Sequence, residues 1–335
     1  MIRARSAPCA PQPTEMTPVH ADLSSIRAVL FDIYGTLFVS GSGDIGVSMA
    51  AGAHTQFART LFSVAPNLLA GDVRPGLQWS EAERDRPTVE ENGEAENGEA
   101  IEAYRRVGKA ARTAYYGAIE AFHREKRRAG IDYPEVDIRE VWARVFSDLY
   151  EADLLRDLPH PEVIETIAVD YELRSNPVWP MPQADETLRN LNEAGYALGV
   201  VSNAQFFTPL LFPALLGREP GSLGLQQRLS AYSYREGRAK PSPQMFSSPL
   251  SELRRSYDIR PEQVLYVGND MKNDMMTASR AGCRACLFAG DRRSLRARED
   301  DEEASRTRPD AVILELRELG SMLSFGGAQY AKISD

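Results

Sequence analysis

Two kinds of hydrophobic pattern divide this chain. Ala28, Val29, Leu30 and Phe31 form an unbroken apolar run, the mark of a short strand covered on both faces, and it opens straight into Asp32-Ile33-Tyr34-Gly35-Thr36-Leu37. Beyond it the period changes. Residues 47–65 are mildly helical, and the apolar positions Ile101, Tyr104, Val107, Ala111, Tyr115, Ala118 and Phe122 step by three and four. That spacing predicts one face of a long helix ending at Gly130. A second stripe, Ile138, Val141, Trp142, Val145 and Leu149, predicts another helix. From Ala184 the units shorten. A helix over 185–195 precedes apolar runs at 197–201, 231–234, 264–267 and 284–288, with a further edge strand at 311–314.

Short apolar runs separated by helices imply parallel strands with helices on both faces of the sheet. The expected fold class is therefore α/β, a doubly wound parallel sheet built from residues 23–40 and 180–330 and interrupted by a helical insertion over 41–179. Residues 1–22 carry Pro8, Pro11, Pro13 and Pro18 without periodicity and read as a disordered leader. Gly41-Ser42-Gly43-Asp44-Ile45-Gly46 formally matches the dinucleotide fingerprint G-x-G-x-x-G, but the strand ends well before its first glycine, so the stretch reads as a mobile flap. Within the insertion, residues 67–100 lose periodicity and gain Gly, Pro and acidic charge. They include the tandem duplication Glu91-Asn92-Gly93-Glu94-Ala95 and Glu96-Asn97-Gly98-Glu99-Ala100, which reads as a solvated acidic loop.

Composition narrows the function classes. The chain has 335 residues, 43% hydrophobic and 26% charged, ample for two packed units. A net charge of -9 argues against a nucleic-acid surface, since proteins that track phosphate backbones present excess Lys and Arg. No apolar run approaches the roughly 18 residues of a spanning helix, and residues 1–23 lack the apolar centre of a signal peptide, so no membrane partner is expected and the cytoplasm is the simplest address. Small molecules are the expected partners, and the oligomeric state is open. Of the three cysteines, Cys283 and Cys286 form Cys-x-x-Cys, but no second pair exists for zinc, and Cys286 lies in an apolar run suited to a buried strand. The four histidines show no metal-ligand spacing.

Candidate chemistry lies where the expected strands end. Ligands of open parallel sheets bind beyond the carboxyl ends of the strands, and Asp32 sits at such an end with Gly35 to turn the chain away. The next strand ends in Ser202-Asn203, a hydroxyl and an amide able to bind an anionic oxygen. Lys240 follows the third, held by Pro241-Ser242-Pro243, and the fourth runs into Gly268-Asn269-Asp270-Met271-Lys272-Asn273-Asp274. Two carboxylates four apart suit a hard cation with oxygen ligands. Singly, each has a structural explanation as turn former, surface charge or helix cap.

In order and position these stretches resemble motifs I to IV of the haloacid dehalogenase-like hydrolase superfamily. The resemblance covers residues 26–38 and 184–323; the insertion is similar to the helical caps of that family in position and helicity. It implies that Asp32 is a nucleophile forming an aspartyl intermediate, and that Mg²⁺ is bound by Asp32, the backbone carbonyl of Tyr34 and Asp270, with Asp274 as a further ligand or as support behind them. It further implies that Thr36 and Ser202, with Asn203 beside them, hold the transferred group, and that Lys240 offsets charge. Tyr34 stands where phosphatases of the family have a second Asp that protonates the leaving group and activates water. A phenol is a poor base at neutral pH. Asp-x-Tyr-Gly-Thr-Leu resembles the dehalogenase branch, whose halide leaves without a proton, whereas the Asp270/Asp274 pair resembles the Mg²⁺-dependent branch. The expected function is a Mg²⁺-dependent phosphohydrolase of a small phosphorylated metabolite, with a 2-haloacid dehalogenase or a low-turnover binding protein as alternatives.

Overall fold

The computed structural model describes residues 1–41, 53–70 and 98–323, and the chain divides into two compact units. The flap glycines from Gly43 onward and nearly all of the acidic duplication lie outside the described residues.

The α/β unit is organised by strand β1 (Ala28–Phe31), whose four residues are fully buried. β1 pairs in parallel with β4 (Ala197–Ser202) on one side and with β6 (Val264–Gly268) on the other, so Phe31 lies in register with both Val200 and Val267. Beyond β4 lies β5 (Ala231–Tyr232), and beyond β6 lie β7 (Arg284–Phe288) and β8 (Ala311–Ile313), giving the order β5-β4-β1-β6-β7-β8. The chain builds outward from β1 in one direction and then returns to build in the other. The tip of β1 is therefore the switch point where a parallel sheet leaves a crevice. The third expected strand is shorter than the apolar run suggests. Gly237, at φ 66, closes a helical turn over Ser233–Glu236, where residues 233 and 234 were expected to remain extended.

A two-stranded antiparallel ribbon pairs β2 (Phe38–Ser40) with β3 (Val178–Pro180), and Gly41 N donates to Pro177 O at 2.8 Å. The ribbon brings together the points where the chain leaves the α/β unit and returns to it. Residues 130–135, inside the expected insertion, instead group with the α/β unit. Ala239 N donates to Tyr133 O at 2.7 Å, and Ser233 Oγ donates to the Glu135 carboxylate at 2.9 Å.

The second unit packs helices Ala53–Val64, Gly98–Arg128, Ile138–Glu151 and Pro161–Ser175. Its core is aromatic: Phe57 and Tyr171 lie with ring centroids 4.4 Å apart, and Trp142 stands 5.4 Å from Tyr115. The last helix is buried continuously from Ile167 to Leu173, so it presents no polar stripe and escapes a search for amphipathic spacing. Its buried Asp170 is paired with Arg174 at 2.6 Å and accepts from Thr60 Oγ1 at 3.0 Å. Among the described residues no helix is long and apolar enough to cross a membrane.

The leader is not the disordered tail its composition suggests. Val19 and Val312 exchange two backbone hydrogen bonds of 2.8 Å, adding an antiparallel bridge to the edge strand β8. Gln12 N donates to Asp291 Oδ1 at 2.8 Å, and Thr14 Oγ1 donates to Ala289 O at 2.6 Å. Proline excludes helix but suits an extended strap, and covering an edge removes a row of unpaired backbone groups. Cys283 and Cys286 are both buried free thiols, and burial pushes Cys283 up to about 12.

Deleting residues 1–20 is expected to destabilise the chain by about 2–4 kcal/mol, the sum of a few hydrogen bonds at roughly 1 kcal/mol each. Denaturant melts read the loss, and hydrogen exchange should show the Val312 amide losing protection. An unchanged midpoint with Val312 still protected would show that the strap contributes nothing.

Candidate active site

Asp32 N donates to Val267 O at 2.9 Å, carrying the β1–β6 ladder one residue past the strand before the chain turns. The turn is tight. Thr36, Leu37 and Phe38 all donate from their amides to Ile33 O, and Gly35 takes φ 81. A Cβ on Gly35 would fall 2.6 Å from both Asn269 Nδ2 and Ser294 Cβ, so this position needs glycine for space as well as for backbone conformation.

Lys240 is the centre of the cluster. Its ammonium donates to Asp32 Oδ1 at 2.9 Å, to Asp274 Oδ1 at 2.5 Å and to Tyr266 Oη at 2.8 Å, which uses all three of its protons. The side chain is 2% exposed. Burial alone would lower its proton affinity, but the adjacent carboxylates of Asp274 and Asp32 outweigh that and hold Lys240 above the usual lysine range, as a cation. The backbone of Lys240 is clamped in turn: its N–H donates to Asn203 Oδ1 at 2.7 Å, and its carbonyl accepts from Asn203 Nδ2 at 3.1 Å.

Tyr266, within β6, was not singled out by sequence. Its hydroxyl accepts from Lys240 and lies 2.7 Å from Val201 O and 3.1 Å from Asp274 Oδ1. Burial, then the charges of Asp274 and Asp32, push this phenol well above its usual range, so it stays neutral. A polar-tipped aromatic in an otherwise aliphatic buried strand is the one signal that marks it.

The two carboxylates after β6 part company. Asp274 turns inward, where Oδ2 accepts from Asn269 N and Asp270 N at 2.9 Å each. Burial raises its carboxyl to about 6 against the opposing pull of Lys240. Gly268 makes room for it, since a Cβ there would lie 2.5 Å from Asp274 Cγ. Asp270 caps the following turn, accepting from Lys272 N at 2.8 Å and Asn273 N at 3.0 Å, and is gripped by Arg298 at 2.6 Å.

The remaining candidates have protein partners too. Thr36 Oγ1 donates to Asn269 Oδ1 at 3.2 Å, and Asn269 Nδ2 donates to Ser294 O at 2.6 Å. Ser202, the buried last residue of β4, lies 3.4 Å from Asn203 O. Tyr34 Oη meets Thr208 Oγ1 at 3.0 Å, and Thr208 Oγ1 also accepts from Gln205 N at 3.1 Å. The structure thus brings Asp32, Lys240 and Asp274 into one hydrogen-bonded group, with Asp270 beside it on Arg298. Arg298 has no sequence signal, because it sits in an irregular loop.

Set against known proteins, residues 26–282 match the model of the haloacid dehalogenase-like hydrolase family, and the chain belongs to that family. It is 30% identical over 146 residues to a ribulose-1,5-bisphosphate 5-phosphatase of Halopiger xanaduensis, covering 43% of this chain and 56% of that protein. It is 35% identical over 112 residues to a phosphoglycolate phosphatase of Haemophilus influenzae, covering 30% and 41%. The chain thus spans about half the length of these curated relatives. Among solved structures, a 2-haloacid dehalogenase from Pseudomonas syringae is 18% identical, with 89% of this chain and 98% of that chain covered and a TM-score of 0.48. CbbY from Rhodobacter sphaeroides in complex with phosphate is 16% identical, with 89% and 99% covered and a TM-score of 0.42.

Lys240→Met strips the cation from two buried carboxylates and is expected to cost about 3–5 kcal/mol at pH 7. The pH dependence carries a sign. In the folded wild type Asp274 binds its proton more tightly than the ordinary 3.8 of an aspartate, and without Lys240 it binds it more tightly still. Above about 6 the folded variant therefore holds more protons than the folded wild type, so its deficit should widen as pH rises above about 6 and level off below it. Urea melts at pH 5 and 8 check this; equal deficits at both would remove Asp274 from the pairing.

Proposed function

We propose that the chain is a Mg²⁺-dependent phosphohydrolase of a small phosphorylated metabolite, acting in the cytoplasm, with Asp32 as the nucleophile. The observation that carries this reading is the carboxylate of Asp32 at the sheet's switch point, 2.9 Å from a fully buried Lys240 cation. The phosphatase names of both sequence relatives support it. A carboxylate fixed by one oxygen to a buried ammonium is oriented for in-line attack by the other.

The chemistry balances in two displacements. A carboxylate oxygen of Asp32 bonds to phosphorus as the ester P–O bond breaks and the leaving oxygen departs with its electron pair. Water then forms a new P–O bond as the P–O bond to Asp32 breaks with its electron pair returning to the carboxylate, and the water's proton leaves to the departed alkoxide or to solvent as inorganic phosphate is released. Lys240 stays protonated and offsets the charge of Asp32, while Thr36 in the turn after β1 and Ser202 at the end of β4 would hold phosphoryl oxygens.

The donor set suits Mg²⁺ in chemistry and in charge. Asp32, Asp270 and the Tyr34 carbonyl are hard oxygen donors with Asp274 behind them on Lys240, and three carboxylates against Lys240 and Arg298 leave one negative charge to neutralise. When bound, Mg²⁺ supplies electrostatic stabilisation of the transferring group. Which of these oxygens are taken up by other partners bears on how it binds.

Tyr34 shapes the substrate range. Its hydroxyl is engaged by Thr208 rather than turned to a leaving group, and a phenol is a poor base at neutral pH. Lack of a general acid–base group costs about 10² to 10⁴ in rate, so leaving groups that depart without a proton are favoured. The same tyrosine supports a second reading, a 2-haloacid dehalogenase, because halide needs no proton.

Acetyl phosphate and p-nitrophenyl phosphate should release phosphate at least about 10²-fold faster than simple alkyl phosphates, and EDTA should abolish this release. Asp32→Asn should lower it by about 10³-fold or more. Chloride release from 2-chloropropionate without metal would replace the reading with the dehalogenase one, and silence in both assays would favour a binding role.

A further inference from the structure

Resting on the phosphohydrolase reading, we propose that Arg298 is an internal competitor for the divalent cation. Its guanidinium occupies Asp270, and the cation binds by displacing it. Arg298 Nη2 donates to Asp270 Oδ2 at 2.6 Å, and Nε lies 3.2 Å from both carboxylate oxygens. This is the fork geometry by which arginine captures a carboxylate, and a cation held by Asp270 would have to share or replace it.

The placement is built by the loop after β7. Arg296 N donates to Asn269 O at 3.0 Å, and Met271 N donates to Arg296 O at 2.9 Å, so the loop is laced to the chain on both sides of Asp270. Lys272 pairs with Asp301 at 2.5 Å, and Asp301 N donates back to Arg298 O at 3.0 Å. Arg298 itself sits at φ 52, in the left-handed region that favours glycine. A long charged side chain is thus held in an unfavoured backbone conformation, aimed at one carboxylate.

Charge and exposure say which partner yields. Three carboxylates against Lys240 leave a deficit of two positive charges, of which Arg298 supplies one and a divalent cation would supply both. Lys240 has its three partners and is 2% exposed, whereas Arg298 is 33% exposed. On release the guanidinium gains water, so it is the cheaper cation to move. Asp270, 8% exposed against 1% for Asp274, is the carboxylate turned to arginine. An intramolecular competitor raises the apparent dissociation constant to the intrinsic one divided by the fraction of molecules in which it is released, so a released fraction of about one tenth weakens binding about tenfold.

The test is Mg²⁺ binding to the full chain by titration calorimetry at fixed ionic strength, with Mn²⁺ relaxation as a second probe and no substrate present. Arg298→Gln should bind Mg²⁺ about tenfold more tightly than wild type. Arg298→Gly should do the same while suiting the left-handed backbone, which guards against misfolding as an explanation. Arg298→Lys, which keeps the charge but loses the fork, should fall between. Equal or weaker binding in both Arg298→Gln and Arg298→Gly, with Asp270→Asn still weakening it, would overturn the competition and leave the phosphohydrolase reading standing. No binding in any of the proteins would overturn both.

Discussion

Everything in the α/β unit near Asp32 depends on one buried ammonium shared between two carboxylates. Lys240 arrives from the segment after β5, Asp32 from the tip of β1 and Asp274 from the turn after β6, and no two of these are neighbours in sequence. A buried unpaired charge costs several kcal/mol, so the three elements are locked together by electrostatics as firmly as by packing. The strand order makes this possible. Only an element flanked on both sides by parallel neighbours places its tip between two others, and β1 between β4 and β6 is such an element.

Two glycines set how close the parts come. Gly35 lets the turn after Asp32 touch Asn269 and Ser294, and Gly268 lets the Asp274 carboxyl lie against the backbone of β6. Asn269 then joins the two loops through Thr36 and Ser294. From Ser294 the contacts run on through Asp291 to the leader at Gln12. The cluster and the strap along the sheet edge belong to one continuous hydrogen-bonded layer.

The strand tips were legible because unbroken apolar runs of four or five residues leave few alternatives once glycine and polar residues bound them. Asp32, Ser202, Lys240 and Asp274 follow from those ends. The rest was hidden for physical reasons. The helix over Pro161–Ser175 is buried through Asp170 and Glu172 as well as its apolar residues, so its spacing carries no contrast between faces. The β2–β3 ribbon and the leader bridge are pairings between segments far apart, which local pattern does not encode. The Asp270/Asp274 pair looked like one unit because spacing alone cannot say that Arg298 takes one carboxylate and Lys240 the other. Asn203 looked like a ligand for an anion, yet both ends of its amide lie on the Lys240 backbone.

Charge and proton handling are separated in this site. Lys240 and Tyr266 both hold their protons more tightly than usual, which keeps one a cation and the other a neutral phenol. Asp274 alone is brought near neutral pH, at about 6, yet it is the poorest proton carrier of the group. Lys240, Tyr266 and two backbone amides converge on its two oxygens. A proton entering there must break contacts that hold Lys240 in place. The raised value therefore measures burial, and the carboxylate acts through the position it gives to the ammonium. Tyr34, whose hydroxyl lies on Thr208, is likewise tied into the fold. The fixed Lys240 cation is common ground between the two readings, since phosphoryl transfer from acidic leaving groups and halide displacement both build up negative charge that it would offset.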